Sequence, residues 1–320
     1  MLMYMFKYIL KRLALMLMTF AIIITICFVL IKLLPITIDV SIGGDAKLMY
    51  EFLDSRGYFD PIPVQFFKYL KRIFLEGDFG VGVYMYKKQS VIDVLFTKLP
   101  PTVIINVFSS LFSVPLGIGL GIFAALKKNK WQDHLVSTLV MVVISVPSFV
   151  YAFIIQYVIC FILDLFPITM LPGENFFDPA VFVSMIPAML CLSFGSIAGY
   201  CRFTRAELTE VLTSEFMLLA RTKGLTKGQA TVRHALRNAM VPIFPSIVGE
   251  FVSVLSGSLI IEKIFSIPGI GGLYLESINL KDYDFFMVLS GFYIFIGLAA
   301  GIIIDLSYGF IDPRIRMGAK

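Results

Sequence analysis

The sequence has few charged residues. Only 15% of its 320 residues are Asp, Glu, Lys or Arg, whereas 58% are hydrophobic. A soluble protein of this length could not bury so much apolar surface. The composition therefore excludes an ordinary soluble domain and predicts an all-α protein that crosses a membrane several times.

The motifs of the common catalytic sites are also missing. No G-x-x-x-x-G-K-[ST] occurs, so we expect no P-loop and no ATP hydrolysis by this chain. H-E-x-x-H and G-x-S-x-G are absent, and the two histidines, His134 and His234, fall in different loops. We therefore expect neither an enzyme nor a bound metal or cofactor.

Cysteine is scarce as well. The four cysteines all lie in or at the ends of hydrophobic runs, at Cys27, Cys160, Cys191 and Cys201. None falls in a predicted outer loop, where a disulfide would form, and their spacing matches no metal site. We expect buried thiols that serve packing.

Long hydrophobic runs are abundant. Leu13 to Ile31 is free of charge and long enough to cross a hydrocarbon core of about 30 Å at ~1.5 Å per residue. We expect six transmembrane helices, at roughly 13–34, 102–126, 135–163, 181–201, 242–261 and 285–308. Prolines inside these runs are not expected to end the helices, because neighbouring helices can satisfy the freed carbonyl groups.

The distribution of charge predicts the orientation. With the N-terminus inside, basic residues outnumber acidic ones in the inner segments, which are 1–12, 127–134, 202–241 and 309–320. Acidic residues predominate in the outer segments. We therefore expect both termini on the cytoplasmic side. The net charge of +5 reflects this asymmetry, and no nucleic-acid partner is expected.

Three parts are predicted along the chain: a first helix with its cytoplasmic end (1–34), an extended outer segment (35–99) and a five-helix core (100–320). Val64 to Leu75 in the outer segment has a helical pattern. Its apolar face holds Phe66, Phe67, Leu70, Ile73 and Phe74, and its polar face holds Lys68, Lys71 and Arg72. This pattern fits a helix on the membrane surface or one packed on the bundle.

The most informative segment is residues 202–241, here called the basic loop, which carries seven basic and three acidic residues between two hydrophobic runs. Ser214 or Thr213 is expected to cap a short helix, with Glu215 complementing the helix dipole. Gly224 is expected to end that helix in the left-handed conformation.

A second helix is predicted to follow. Thr226 and Gln229 fit a capping box, and the helix they open is expected to enter the membrane at Pro242. The first helix carries four consecutive apolar residues that we expect to be exposed, Phe216, Met217, Leu218 and Leu219. Such a patch favours a contact with a partner protein, although a helix resting on lipid headgroups fits the pattern too.

Polar residues also occur inside the predicted fifth span. Glu250 lies about 12 Å past Pro242 by helical rise, where a carboxylate is costly. Small or polar residues continue the same stripe at Ser246, Ser253, Ser256 and Gly257. The stripe fits a wall of a translocation path. It also fits hydrogen bonding and close packing between helices.

Two glycine-rich segments complete the pattern. Residues 267–272 follow the fifth span, and Pro268, Gly269 and Gly271 predict a tight turn next to Glu262. This turn is interpreted as an outer gate or as an ordinary loop. The spaced glycines at 117, 119 and 121 favour close packing of two helices.

Several short motifs together resemble the membrane subunits of binding-protein-dependent ABC importers, most narrowly the B-type permease subunit of oligopeptide, dipeptide and nickel systems. The similarity covers nearly the whole chain. The matching segments, in chain order, are Tyr8–Arg12 (YILKR), Glu76–Gly80 (EGDFG), Leu99–Thr102 (LPPT), Ser145–Phe149 (SVPSF), Arg202–Ala206 (RFTRA), Ala220–Leu225 (ARTKGL), Arg233–Pro242 (RHALRNAMVP), Ile267–Gly271 (IPGIG) and Asp312–Arg316 (DPRIR).

This resemblance implies a type I ABC importer fold in a bacterial cell membrane. It also implies a second, homologous permease subunit, two ATPase subunits that bind ATP and Mg²⁺, and an extracytoplasmic peptide-binding protein. Glu215 through Lys223 would form the coupling helix that contacts the ATPase, with Ala220, Arg221 and Gly224 in the family's loop motif. The cargo stays open among oligopeptides, dipeptides, a nickel chelate and similar solutes.

Two other classes of function fit less well. An ion-coupled secondary transporter tends to carry inverted repeats and several ionisable residues near the midplane, and here only Glu250 qualifies. An intramembrane enzyme would need a nucleophile–base pair or metal ligands. The sequence therefore predicts a permease subunit of an ATP-driven peptide importer.

Overall fold

The computed structural model of the chain describes residues 2–34 and 46–311. The start of the predicted outer segment and the motif at Asp312–Arg316 lie outside these residues. Numbered in chain order, the α-helices are α1 (Leu2–Leu33), α2 (Ala46–Ser55), α3 (Ile62–Glu76), α4 (Val91–Leu126), α5 (Trp131–Ser145), α6 (Ser148–Ile155), α7 (Pro179–Leu212), α8 (Glu215–Thr222), α9 (Lys227–Ala230), α10 (Leu236–Ser253), α11 (Leu259–Ile264), α12 (Ile270–Asn279) and α13 (Tyr283–Ile311).

The chain folds as two compact units. Unit 1 combines Met1–Lys98 with Gly272–Leu298, and unit 2 combines Leu99–Gly271 with Ala299–Lys320. Residues 272–298 therefore group with the N-terminal part of the chain, whereas the sequence analysis assigned them to the core. The predicted three-part division itself stays a prediction.

Five helical segments of the described chain are long and apolar enough to cross a membrane: Ile9–Leu33, Val91–Leu126, Pro179–Leu212, Lys227–Ser256 and Tyr283–Tyr308. A sixth span forms if α5 and the helical residues 148–162 count as one. This agrees with the six predicted spans in number and in approximate place.

The predicted uninterrupted helix over 135–163 is wrong. The chain bends by 100° between Ser145 and Ser148. Pro147 lacks an N–H group, and it pushes the preceding residue out of the helical region. Val146 is accordingly extended, with φ −91° and ψ 125°. The prolines at 115, 187 and 245 lie within helices, as predicted.

The predicted fifth span, 242–261, extends beyond the C-terminal end of the observed helix. The helix that begins at Lys227 stops at Ser256, and Gly257 has a φ of +65° that ends it. Glycine adopts this left-handed backbone without the steric cost of a Cβ atom. The chain then starts a new short helix, α11, at Leu259.

Close packing of α4 against α7 organises unit 2. A Cβ atom added at Gly117 would lie 2.8 Å from the carbonyl oxygen of Ile197, and one at Gly121 would lie 2.7 Å from that of Cys201. The predicted packing role of the spaced glycines is confirmed at these two positions. The four cysteines are free thiols and all but Cys27 are buried, as expected.

Two aspartates at the start of α13 hold unit 1 together. One carboxylate oxygen of Asp282 accepts hydrogen bonds from the backbone N–H groups of three successive residues, Val83, Tyr84 and Met85, at 2.8–3.0 Å. Burial raises the pKa of this carboxyl group, although these donors oppose the shift. The second aspartate, Asp284, forms ion pairs with Arg56 and Arg72.

The helix predicted over 64–75 is present as α3, with one correction. Arg72 is not on a solvent-facing polar stripe, because it is half-buried and pairs with Asp284. Phe66 contacts Phe28 of α1, so α3 packs against unit 1. Phe67 and Phe74 stay exposed.

Candidate functional site

The basic loop folds as predicted in outline. α7 continues through the first residues of the basic loop and ends at Leu212. α8 follows after a two-residue turn. α8 ends at Thr222, one residue before the predicted end, and Lys223 caps it. Gly224 has a φ of +91°, which confirms the left-handed residue behind this helix.

The predicted hydroxyl cap of α8 is wrong. Ser214 occupies the cap position, but its hydroxyl donates a hydrogen bond backward to the carbonyl of Val211. The Thr213 hydroxyl likewise donates to the carbonyl of Glu210. Both hydroxyls therefore satisfy the last carbonyl groups of α7 instead of the first N–H groups of α8.

The capping box at Thr226 and Gln229 is confirmed. The Gln229 N–H donates to the Thr226 hydroxyl at 3.3 Å, and the Thr226 N–H donates to the Gln229 side chain at 3.1 Å. α9 then continues through a π-helical turn into α10, so one helical segment runs from Lys227 past Pro242. A short, capped junction thus joins α8 to a helical segment long enough to span a membrane.

α8 has one buried face. Met217 is only 4% exposed, so the prediction that four consecutive apolar residues are exposed is wrong at this position. Its side chain packs in a hydrophobic cluster built largely from small residues at the ends of α4, α7, α9 and α10. The buried members are Ala125, Leu208, Met217, Ala230, Ala235 and Ala239.

The opposite face of α8 is open. Phe216, Leu218 and Leu219 are 41%, 61% and 56% exposed. The charged residues Glu215, Arg221 and Lys223 are exposed around them, while Ala220 is half-buried. Residues three and four apart share a helix face, so one buried Met leaves its neighbours pointing outward. α8 therefore presents an apolar patch with a charged rim while its inner face is held in place.

An ion pair that the sequence analysis missed connects the start of the basic loop to the α4–α5 turn. Arg205 of α7 donates two hydrogen bonds to the buried carboxylate of Asp133, at 2.5 and 2.8 Å. Asp133 also accepts from the backbone N–H of Asn129. The pair fixes the α4–α5 turn to α7. The only sequence signal was a single acidic residue in the basic segment 127–134.

The polar stripe of α10 faces α7 at two positions. The Ser196 hydroxyl donates to the Glu250 carboxylate at 2.6 Å, and the Tyr200 hydroxyl donates to the carbonyl of Ser246 at 2.9 Å. Ser253 is exposed, and Ser256 and Gly257 are half-buried at the end of the helix. Interhelical hydrogen bonding is therefore present, and the role of the stripe in a translocation path stays a prediction.

The predicted turn beside Glu262 is confirmed. The Glu262 carboxylate is fully buried and accepts hydrogen bonds from the Thr102 hydroxyl and from the N–H of Gly271. A Cβ atom at Gly269 would lie within 2.4 Å of both Thr102 and Glu262 side-chain oxygens. Glu262 thus anchors the turn, while Pro268 is exposed. The role of this turn as an outer gate stays a prediction.

The described residues contain no group of three or more His, Cys, Asp or Glu side chains placed to hold a metal ion.

Solved structures with the same fold are transporter subunits. The chain superimposes on an amino acid ABC transporter with a TM-score of 0.51 at 17% identity, over 68% of this chain and 94% of that one. An inward-facing MetNI methionine ABC transporter gives 0.50 at 14% identity, over 68% and 97%. The fold is that of the membrane-spanning subunits of ABC importers.

Sequence relatives narrow the class. The dipeptide transport system permease protein of Lactococcus lactis is 34% identical over 98% of this chain and all of its own length. The oligopeptide transport system permease protein of Escherichia coli is 33% identical over the same shares. Residues 117–317 match the family model of the binding-protein-dependent transport system inner membrane component. The chain belongs to that family.

Membership fixes several properties. The chain is a multi-pass permease subunit of the cytoplasmic membrane and is not itself an enzyme. A binding-protein-dependent ABC importer also needs ATPase subunits and a substrate-binding protein, so both classes of partner are implied.

Proposed function

We propose that this chain forms half of the membrane pathway of an ATP-driven importer of short peptides. The names of its relatives support the cargo, since those similar over the whole length are permeases for dipeptides, for oligopeptides and, at 29% identity, for glutathione. All three are small peptides. The second half of the pathway is a homologous permease subunit with a different sequence, so that the two subunits form a heterodimer.

The arrangement of α8 supports the coupling mechanism and is the observation that carries it. One face is fixed by Met217 in the cluster at the helix ends, and the other presents Phe216, Leu218 and Leu219. A partner ATPase that binds ATP and Mg²⁺ docks on this exposed face. When the ATPase moves, α8 moves as a rigid body and transmits the motion to α7 and α10.

The remaining roles belong to the same proposal. Glu250, Ser246 and Ser253 border the path along α10, and the turn anchored by Glu262 closes its outer end. The binding protein delivers the peptide to that end, and both termini lie in the cytoplasm. Alternating access then exposes the path to one side of the membrane at a time.

Transport in proteoliposomes tests this proposal. The chain is reconstituted with its partner permease and ATPases, and uptake of a labelled dipeptide is measured with binding protein outside. We expect uptake that requires ATP and binding protein and that an uncoupler leaves unchanged. A complex with a hydrolysis-deficient ATPase is the control. Uptake without ATP that an uncoupler abolishes would instead establish an ion-coupled transporter.

A further inference from the structure

Unit 1 contains a cavity of about 420 Å³ that the transport mechanism does not use. It lies where the end of α1, the helix α3 and the start of α13 meet. The described side chains that line it include the polar and charged residues Lys32, Ser55, Arg56, Tyr58, Gln65, Lys68, Lys71, Arg72, Glu76, Asp78 and Asp284. Five of these are basic and three are acidic, so basic groups outnumber acidic ones in the described lining, although Lys68 pairs with Asp60 and Lys71 lies 3.7 Å from Glu76.

Asp284 is already engaged by two cations. Arg72 reaches its carboxylate with both terminal nitrogens, and Arg56 donates to one of its oxygens at 3.1 Å. Lys32 instead contacts aromatic rings, with Nζ 4.0 Å from the ring centres of both Tyr58 and Tyr283. Aromatic faces stabilise an ammonium group without neutralising it. The Lys32 side chain therefore lines the cavity with aromatic rings around its Nζ atom.

Two buried donors in this cavity wall have no hydrogen-bond partner among the described residues. They are the hydroxyl of Tyr58, a residue only 7% exposed, and the Nε–H of Arg72. Buried polar groups without a partner are rare and costly, so each calls for an acceptor. An anion with several oxygens supplies acceptors for both donors.

The position of the cavity indicates where that anion comes from. Lys32 lies in the last turn of the membrane-spanning segment Ile9–Leu33, at the depth of lipid headgroups. Exposed apolar side chains flank the cavity-lining residues on both helices, at Leu33 of α1 beside Lys32 and at Leu75 of α3 one turn from Arg72. We propose that the cavity binds the phosphate of an anionic phospholipid, whose acyl chains lie against these side chains.

Lipid binding to the intact, detergent-purified transporter tests this site. Native mass spectrometry measures bound phosphatidylglycerol during a titration. We expect Lys32→Gln to weaken binding about tenfold, because a charge-assisted contact to phosphate is lost. Lys71→Gln should weaken it several-fold. Lys87→Gln is the matched control, since that lysine is exposed in the same unit but does not line the cavity.

Two further ligands separate the possible sources of the anion. Phosphatidylcholine should bind more weakly than phosphatidylglycerol, and inorganic phosphate should not displace the lipid at equal concentration. Equal binding of either would contradict the lipid assignment. Unchanged phosphatidylglycerol binding in Lys71→Gln would overturn the site even if Lys32→Gln folds poorly, because the Lys71 side chain is 66% exposed and its loss leaves the packing intact.

Discussion

At the scale of single residues, the difference in burial between Met217 and its neighbours determines which face of α8 is exposed. Met217 is buried among alanines, whereas Leu218 beside it is exposed. Burial of one methionine therefore decides which face remains for a partner. Sequence pattern alone predicted an apolar patch here but not which residue turns inward, because that depends on where the helix ends of α4, α7 and α10 meet.

Met217→Ala tests this orientation. We expect it to lower the free energy of unfolding by roughly 2–5 kcal/mol, because it leaves a cavity in a packed cluster. Leu218→Ala, the neighbouring control, should change it by less than about 0.5 kcal/mol. Thermal unfolding of the full-length chain, purified without ATPase subunits, measures both. Equal effects of the two variants would mean that α8 is rotated relative to the structure.

Gly269 is a second position where a single added atom, a Cβ, is expected to affect stability. A Cβ atom there would lie 2.3 Å from the Thr102 hydroxyl oxygen and 2.4 Å from a Glu262 oxygen. Gly269→Ala should destabilise the protein by about 1–3 kcal/mol through overpacking. Gly272→Ala is the matched control, since nothing lies within 4 Å of its Cβ position. A stability scan in which both variants behave alike would contradict the Glu262 anchor.

At the scale of elements, most local signals were predicted well, apart from the hydroxyl cap of α8, and long-range contacts were not. The capping box at Thr226 and the left-handed Gly224 depend on neighbours a few residues away, so the sequence contains what is needed to find them. The pair of Arg205 with Asp133 and the contacts of Asp284 join residues far apart in the chain. A single sequence gives no means of matching such partners.

Helix breaks show the same limit. Pro147 and Gly257 break helices, whereas Pro115, Pro187 and Pro245 do not. A proline inside a membrane helix is tolerated where neighbouring groups satisfy the freed carbonyl, and this depends on tertiary packing. Residue type alone could not decide between these outcomes.

Thr226→Ala tests the junction between α8 and α10. Loss of the cap should cost about 1 kcal/mol and should speed amide hydrogen exchange over residues 227–235, because the first turn loses its hydroxyl acceptor. Thr222→Ala is the control, since its hydroxyl donates to the Leu219 carbonyl and caps no N-terminus. Exchange rates that stay equal in the two variants would show that the cap does not stabilise this helix start.

At the scale of the whole molecule, the chain has the fold and the family of an ABC importer permease, and the proposed mechanism depends on one surface. In the proposed mechanism the outer residues of α8 contact an ATPase subunit, and through this contact hydrolysis in the partner would move α7 and α10. The all-α membrane fold and the approximate places of the spans and of the basic loop along the chain were predictable, since hydropathy and charge encode them.

Site-directed crosslinking of the assembled transporter measures this contact most directly. All four native cysteines are replaced by alanine, and a single cysteine is placed at Leu219 or, as control, at the equally exposed Leu165 in the loop before α7. The account predicts that Leu219→Cys crosslinks to an ATPase subunit, with an efficiency that changes when ATP is added, and that Leu165→Cys does not. Labelling of Leu219→Cys by lipid reagents alone, with no ATPase adduct, would contradict it.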